Sequence, residues 1–214
     1  MTWDRDGRGV HIDYAPSDGV SFTRIGTTPL FDVPTTTPSV FYAFSAGDPG
    51  VVLVDGTYYL WFAGYSNDGK DDQLSIGVAT STDATNWKVV PAPVLTKGAP
   101  GTWDDEAAAT PSVVYDGTQF VMAYTGVSER FNGEINVESG NIGLAVSKDA
   151  VTWTRIGMGP IISKGAPGSW NDIGVWGPNL VLEGGKYRIY FAGIHLGANC
   201  SERTASIGLA NPSP

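Results

Sequence analysis

Short apolar runs alternate with turn residues along most of the chain, and no window of the sequence shows sustained helical periodicity. Three stretches read as paired strands around a tight turn: VVLVDGTYYLWFAG, SVVYDGTQFVMAYTG and LVLEGGKYRIYFAG. Their central dipeptides, Asp55-Gly56, Asp116-Gly117 and Gly184-Gly185, supply the positive φ that tight hairpins need. Valine and aromatic residues fill the strands, as they do in pleated, largely buried sheets. The pattern predicts an all-β fold.

The strand pattern recurs with a constant period, which indicates a repeat architecture. LSIGVATSTDATNW returns as NIGLAVSKDAVTW, SIGLA begins a further copy, and HIDYAPSDGVSF is a weaker one. An aspartate four residues before an aromatic residue marks the copies at Asp18, Asp83 and Asp149, at intervals of 65 and 66 residues. We expect these aspartates to be structural and to tie the turn between two strands.

Each period holds four strands, which we call A to D, and repeated four-stranded antiparallel units are typical of β-propeller blades. We expect one β-propeller domain over residues 1–214. Its parts are a partial blade at 1–31, blades at 48–95 and 111–162, and a partial blade at 178–211.

Composition narrows the function classes. The net charge is −9 with only 13 Lys+Arg and no basic run, which argues against a nucleic-acid partner. No apolar run long enough for a membrane span and no signal peptide is visible, so the residues leave the compartment open. Cys200 is the only cysteine, so neither an intramolecular disulfide nor a cysteine-based zinc site can form.

The irregular loops predict which face carries function. In an antiparallel meander, the B–C and D–A loops lie on one face, and here they are long and differ between copies. Variable loops on a rigid scaffold are where binding and chemistry usually lie. Acidic residues concentrate in these loops: Asp48, Asp104, Asp105, Glu106, Glu129 and Asp172.

The motifs P-x-V-V-x-D-G-x-Y-Y-x-W-F-A-G, S-I-G-V-A-T-S-x-D-x-x-x-W and G-x-W-D make the chain similar to five-bladed β-propeller glycoside hydrolases of families 32, 43 and 130. The similarity runs from about Val10 onward. It implies a carboxylate directly before an innermost strand, and Asp48, followed by Pro49, matches that position. The corresponding residues in the other copies are Thr110 and Gly177. The alternative interpretation is that Asp48-Pro49 only initiates a turn.

Glycoside hydrolysis needs a second carboxyl group. The resemblance implies Asp48 as base or nucleophile, with Glu106 or Glu129 as the acid and Asp105 and Asp172 as further catalytic candidates. Aromatic side chains at the channel mouth would stack on sugars, and a histidine would hydrogen-bond a hydroxyl. The substrate-binding candidates are Trp61, Trp103, Trp176 and His195. The alternatives are a non-catalytic propeller that binds carbohydrate or protein and a structural assembly module.

The chain is shorter than a complete ring of five blades would be. Five blades would need about 325 residues, whereas this chain has 214. Either it is a fragment of a longer protein, or chains associate as homo-oligomers to complete the ring. No cofactor is implied; Asp68, Asp71 and Asp72 offer oxygen ligands for Ca²⁺ but lack the spacing of a known calcium loop, which favours a solvated acidic loop. The resemblance implies an extracellular or periplasmic location.

Overall fold

The computed structural model describes residues 21, 29–30, 40–67, 72–197 and 203–211. Most of the predicted partial blade at 1–31 lies outside these residues, as do Asp18, Cys200 and the calcium candidates Asp68 and Asp71. No helix in the described ranges is long and apolar enough to cross a membrane.

Three antiparallel sheets contain nearly all the regular structure. Sheet 1 has β1 (Ser45–Val54), β2 (Thr57–Asn67), β3 (Asp72–Ser81) and β4 (Lys88–Val89). Sheet 2 begins with β5 (Ala107–Tyr115) and β6 (Phe120–Val127). The hairpin of β7 (Arg130–Phe131) and β8 (Glu134–Ile135) and a 3-10 helix (Val137–Ser139) follow, and β9 (Asn141–Ser147) and β10 (Thr154–Ile156) complete sheet 2. Sheet 3 has β11 (Gly174–Glu183), β12 (Lys186–Leu196) and β13 (Arg203–Ala210).

Strand pairing follows the predicted A to D order. Sheets 1 and 2 each contain four strands in meander order, and sheet 3 contains three within the described residues. The innermost strands begin earlier than the sequence predicts, at Ser45, Ala107 and Gly174. The prediction took each Gly/Pro-containing segment as a turn, whereas the strand continues through it.

The Asp/Trp turns have the structural role predicted for them. In the turn before β10, Asp149 Oδ1 accepts hydrogen bonds from the backbone N–H groups of Val151 (2.9 Å) and Thr152 (2.6 Å). These bonds lower the pKa of Asp149 to about 2. Asp83 accepts equivalent bonds from Thr85 and Asn86. The prediction that these aspartates tie the turn between strands C and D is confirmed.

The sheets stack face to face. We call the side of a sheet that faces the preceding sheet its leading face and the opposite side its trailing face. Between the trailing face of sheet 1 and the leading face of sheet 2 lie Trp61, Ile76, Val78, Val113, Phe120 and Met122. Between sheets 2 and 3 lie Val121, Ala123, Ile142, Val175, Leu180 and Ile189. Both interfaces are predominantly apolar, as stacked blades require.

An aromatic side chain anchors the loop before each innermost strand. It covers two glycines on strands B and C: Phe41 covers Gly64 and Gly77, Trp103 covers Gly126 and Gly143, and Trp170 covers Gly193 and Gly208. A Cβ atom on Gly126 would lie 2.3 Å from Cζ3 of Trp103, so the ring fits only over glycine. This repeated contact fixes each loop on the leading face of its own sheet.

Candidate active site

The innermost strand of every sheet carries a β-bulge at the same place. The register shifts lie between Gly47 and Gly50, between Ala109 and Ser112, and between Trp176 and Asn179. Each bulge contains a residue with left-handed backbone followed by proline: Asp48 (φ 52), Thr110 (φ 46) and Gly177 (φ 60). Proline is tolerated in a strand at a bulge because no ladder hydrogen bond is lost there. Asp48 therefore lies within β1 and not before it, which corrects the predicted placement.

The three bulges form a row along one rim of the stacked sheets. The backbone N–H of Gly177 donates a hydrogen bond to Thr125 Oγ1 of sheet 2 (3.2 Å). A Cβ atom on Gly50 would lie 3.2 Å from the carbonyl oxygen of Pro111. Consecutive bulges thus contact the neighbouring sheet, which places the three bulges along the same rim of the stack. Bulges of this kind commonly redirect a side chain toward an active site.

Only one position in this row carries an acid. Thr110, whose β-branched side chain is strained at positive φ, makes a buried hydrogen bond of 2.6 Å with the Thr125 hydroxyl. The residue that matches Thr125 in sheet 1 is Ala63, which has no hydroxyl. Asp48 is half-buried, its carboxylate has no hydrogen bond within the described ranges, and desolvation by burial raises its pKa.

Asp105 and Asp172 have matching structural roles in two successive loops. Oδ2 of Asp105 accepts a hydrogen bond from the N–H of Gly101, and Oδ2 of Asp172 accepts one from the N–H of Gly168, both at 2.7 Å. A bond that recurs in both repeats caps the loop, and a reaction is not needed to explain it. The predicted catalytic role of Asp105 therefore has no support in its contacts.

Asp172 makes a second contact that Asp105 lacks. Its Oδ1 lies 2.9 Å from Nδ1 of His195, so this contact does not involve Nε2 of the ring. The Gly168 N–H and His195 together lower the pKa of Asp172. The sequence proposed His195 and Asp172 separately, and the structure brings them together as one pair on sheet 3.

Two other predicted acids are engaged by cations. Glu106 directly precedes β5, and its Oε2 lies 2.7 Å from Nε of Arg130 on the β7–β8 hairpin. Glu129 follows β6, and its Oε1 lies 2.5 Å from Nζ of Lys164. The matching residues before β1 and β11 are Phe44 and Ile173, so Glu106, like Asp48, is an acid in one repeat alone.

The three tryptophans predicted to bind substrate differ in how deeply they are buried. Trp61 is wholly buried between sheets 1 and 2 and donates a hydrogen bond to the Ala150 carbonyl (3.3 Å), so its predicted role in stacking on sugars is wrong. Trp103 packs against Tyr124 with ring centroids 5.5 Å apart and serves as the glycine anchor of its loop. Trp176 is half-buried and directly precedes the bulge residue Gly177, which keeps it at the rim.

Asp104, Tyr124 and Arg155 form a buried polar cluster that the sequence did not predict. The Asp104 side chain is 1% exposed; its Oδ2 accepts hydrogen bonds from the Tyr124 hydroxyl (2.9 Å) and Arg155 Nε (2.7 Å). Burial raises the pKa of Tyr124. The sequence placed Asp104 among the acidic residues of the variable loops, but no local pattern could indicate Arg155, which lies 51 residues away.

The described residues place no group of three or more His, Cys, Asp or Glu side chains where it could hold a metal ion. Of the three aspartates proposed for calcium, only Asp72 lies within the described ranges, as the first residue of β3. The calcium hypothesis thus stays a prediction.

Comparison with known proteins identifies the family. The model described as the glycosyl hydrolases family 32 N-terminal domain matches residues 46–198. The chain belongs to this family. The predicted resemblance to five-bladed propeller glycosidases is confirmed, and so is the all-β propeller fold. A search of curated proteins by sequence found no match.

Solved structures similar to this family 32 chain carry different activities. A family 117 glycoside hydrolase from the marine bacterium Zobellia galactanivorans matches with a TM-score of 0.65 and 18% identity, over 78% of this chain and 52% of its own. An N-acetylgalactosamine deacetylase from F. plautii matches with a TM-score of 0.60 and 21% identity, over 78% and 50%. A family 32 β-fructofuranosidase from Bombyx mori matches with a TM-score of 0.55 and 16% identity, over 78% and 33%.

The family 32 chain thus spans about half, or less, of these three structures. At such identities the likeness establishes the fold. Because a deacetylase shares it with glycosidases, the reaction has to be argued from the site.

Proposed function

We propose that this family 32 chain hydrolyses glycosidic bonds in poly- or oligosaccharides, with Asp48 as the base or nucleophile. The single observation that carries the proposal is the state of the Asp48 carboxylate. It is half-buried at a bulge on the rim, has no hydrogen-bond partner within the described ranges, and stands where the other sheets carry Thr110 and Gly177. A half-buried acid without a hydrogen bond to the described residues is typical of a functional group.

The environment of Asp48 suits a base. A carboxylate in water is a weak base near neutral pH, and desolvation makes it stronger because the ionised form loses hydration. Burial raises the pKa of Asp48 in this sense. The same carboxylate also suits nucleophilic attack on an anomeric carbon, the other role that the two-carboxylate mechanism offers.

We assign the proton donor to Glu106. It immediately precedes β5, the innermost strand next to β1, and, like Asp48, it has no acidic counterpart in the other two sheets. Its carboxylate pairs with Arg130 in this structure, so it has to separate from that cation and take up a proton from solvent before it can protonate the oxygen of the leaving group. Glu129, which follows the second strand of its sheet and pairs with Lys164, is the less favourable choice.

Reducing-sugar release from a carbohydrate panel tests the proposal on the purified chain. The panel includes sucrose, bound by the Bombyx mori enzyme in one neighbouring structure, and sucrose-6-phosphate, the substrate named for a Lactobacillus gasseri neighbour. We expect Asp48→Asn to lower kcat at least about 100-fold, the range typical of a lost general base.

Asp55→Asn is the matched control. Asp55 also has left-handed backbone (φ 48), but it lies in the hairpin turn at the opposite end of β1. The control should keep the turnover of the parent chain. Turnover that survives Asp48→Asn unchanged would contradict the assignment of Asp48.

The second candidate is a non-catalytic carbohydrate-binding propeller. It is favoured by the lack of carboxyl groups at Thr110 and Gly177 and by the engagement of Glu106 and Glu129 with cations. In that case the panel gives no product with the parent chain, while calorimetry detects binding of at least one sugar. Asp48→Asn then leaves turnover at zero and alters only affinity.

A further inference from the structure

His195 and Asp172 form a pair that sheets 1 and 2 lack. The residue two positions after the covered glycine of strand B is His195 in sheet 3, but it is Ser128 in sheet 2 and Ser66 in sheet 1. Asp172, by contrast, has a counterpart in Asp105, and both accept a glycine N–H of their own loop at 2.7 Å. Loop capping therefore explains the recurring aspartate, but it does not explain the histidine, which occupies this position only in sheet 3.

The contact with Asp172 determines which nitrogen of the His195 ring carries the proton. Oδ1 of Asp172 lies 2.9 Å from Nδ1, while Oδ2 accepts the N–H of Gly168. The pKa of Asp172 is lowered, so its carboxylate is ionised near neutral pH and can only accept hydrogen bonds. Nδ1 is therefore the donor, and in the neutral ring Nε2 remains an unprotonated acceptor.

Nε2 of His195 is accessible to a ligand. It has no hydrogen-bond partner within the described ranges. Among the residues that the structure describes, no buried side-chain nitrogen or oxygen lacks a partner, so Nε2 has to reach the surface. The side chain of His195 is 28% exposed, and that of Asp172 is 13% exposed. The pair thus presents one hydrogen-bond acceptor, fixed in its protonation, to solvent.

The pair lies at the rim that carries Asp48. Ala192 of β12 pairs with Trp176 at the bulge of sheet 3, and His195 follows three residues later, next to the end of the strand. Three residues of a strand span about 10 Å. His195 therefore lies farther out than the bulge of its own sheet, at the side of the stack where the irregular loops begin.

Sheet 2 separates His195 from Asp48 along this rim. The bulge of sheet 1 contacts β5 at the carbonyl oxygen of Pro111, and the N–H of Leu180 in β11 donates a hydrogen bond to Ser112 Oγ of β5 (2.8 Å). β5 therefore lies between β1 and β11. A carbohydrate chain that extends from Asp48 to sheet 3 would meet His195 with a sugar unit other than the one that Asp48 attacks.

We propose that Nε2 of His195 accepts a hydrogen bond from a hydroxyl group of a bound carbohydrate, and that Asp172 is the positioning residue that holds the ring in this tautomer. Since the ligand is taken to be a carbohydrate, this role rests on the proposed function. The role is recognition and not proton transfer at the scissile bond, because Asp48 and Glu106 belong to sheets 1 and 2. Loss of the contact should raise KM and leave kcat nearly unchanged.

Nitrogen NMR of the chain with isotopically labelled histidine tests the tautomer without a ligand, at pH 8, above the ordinary pKa of histidine. The chain has two histidines, and His195→Gln assigns the signals by removing one set. We expect a neutral ring that is protonated at Nδ1. In Asp172→Asn the tautomer should reverse, because the amide oxygen replaces Oδ2 as acceptor of the Gly168 N–H and the NH₂ group can only donate to Nδ1. A charged ring or one protonated at Nε2 in the parent chain, or no reversal in the variant, overturns the proposal.

Titration of the Asp48→Asn chain with the carbohydrate panel, sucrose included, tests recognition separately from hydrolysis. At least one sugar should shift the Nε2 signal of His195 more than the Nδ1 signal. For that sugar, a further His195→Asn keeps an amide only near the place of Nδ1 and should raise Kd about 3- to 10-fold, as loss of one hydrogen bond typically does. His195→Gln keeps an amide near the place of Nε2 and should raise Kd less.

Asp105→Asn is the matched control. It changes the equivalent loop cap, the 2.7 Å bond from the Gly101 N–H, in a sheet without the histidine, so Kd and the His195 tautomer should stay as they are. If no sugar moves the Nε2 signal, or if His195→Asn and His195→Gln both leave Kd unchanged, the proposal is overturned. A shifted Nε2 signal together with absent turnover in the parent chain would contradict the hydrolase proposal alone, because binding does not require turnover.

Discussion

Asp48 and Asp149 show how differently two carboxylates of one repeat protein can be used. Backbone N–H groups surround Asp149 and lower its pKa, and the bonds shape a turn that returns in sheet 1 at Asp83. Asp48 receives no such bond in the described ranges, and burial raises its pKa. The Asp149 carboxylate stabilises the fold above its pKa, whereas the Asp48 carboxylate destabilises the fold once it is ionised.

Burial of the ionised Asp48 carboxylate destabilises the fold, so we predict that its substitution raises the stability of the protein. Because its pKa is raised in the folded state, ionisation favours unfolding as the pH rises through that value. Asp48→Asn should therefore raise Tm at pH 7, by on the order of 2 °C. The gain should disappear below about pH 4, where the unfolded chain is protonated as well.

Thermal unfolding of Asp48→Asn at pH 3 and pH 7 checks this, with Asp55→Asn as the control for the substitution itself. A lower Tm at pH 7 would show that Asp48 stabilises the fold. A gain that persists at pH 3 would show that ionisation of its carboxylate is not the cause of the difference. Loss of turnover together with higher stability is the pattern expected of a residue kept for function.

The sequence predicted residue roles where the repeat itself carried the signal. Comparison of the copies separated the shared Asp/Trp turns from Asp48, present once. It failed for Trp61, because a strand buried on both faces has no polar side to indicate which way a side chain points. It also did not pair His195 with Asp172, since that contact depends on the register between β12 and the residues that precede β11.

At the scale of elements, the aromatic side chains that cover the glycine pairs limit which substitutions each sheet tolerates. A Cβ atom on Gly143 would lie 2.5 Å from Cη2 of Trp103, and the rigid indole cannot move away without leaving its loop. Gly143→Ala should lower the free energy of unfolding by about 2 kcal/mol, as overpacking of a core typically does. Urea unfolding measures the change.

Gly159→Ala is the control for this prediction. Gly159 has no heavy atom within 4 Å of the added Cβ and no positive φ, so its substitution should leave the free energy of unfolding nearly unchanged. Equal effects of the two substitutions would show that loss of glycine flexibility, and not the contact with Trp103, decides the result.

The strands themselves were predicted well, because valine and aromatic runs around Asp-Gly and Gly-Gly turns specify hairpins locally. The residues at which the innermost strands begin were not predicted correctly. A Gly- and Pro-rich segment such as AGDPG normally indicates a turn, and only pairing with β2 on both sides of the bulge shows that the strand continues.

At the scale of the whole molecule, polar contacts as well as apolar faces hold successive sheets in order. Arg155 of β10 donates a hydrogen bond to the Thr96 carbonyl, in the loop that leaves sheet 1, as well as to buried Asp104. The Tyr187 hydroxyl of sheet 3 donates to Asp116 Oδ2 of sheet 2 (2.9 Å). Such contacts span 51 to 71 residues, which is why the sequence alone did not indicate them.

Removing the guanidinium of Arg155 should destabilise the stack. In Arg155→Met the aliphatic stem stays, but Asp104, 1% exposed, is left as a buried charge without its cation. We expect a loss of about 3 kcal/mol in the free energy of unfolding. Lys164→Met, which breaks the exposed pair with Glu129, should cost less than about 1 kcal/mol. Urea unfolding of both variants makes the comparison, and a similar loss in each would argue against a special role for the buried cluster.

The bulge that repeats along the rim has a consequence for how such proteins diversify. Its left-handed turn belongs to the main chain of all three sheets, whichever of aspartate, threonine or glycine occupies it. One codon change at this point can therefore install or delete a reactive group while the course of the polypeptide stays the same. The scaffold can persist in this way while the chemistry at its rim changes.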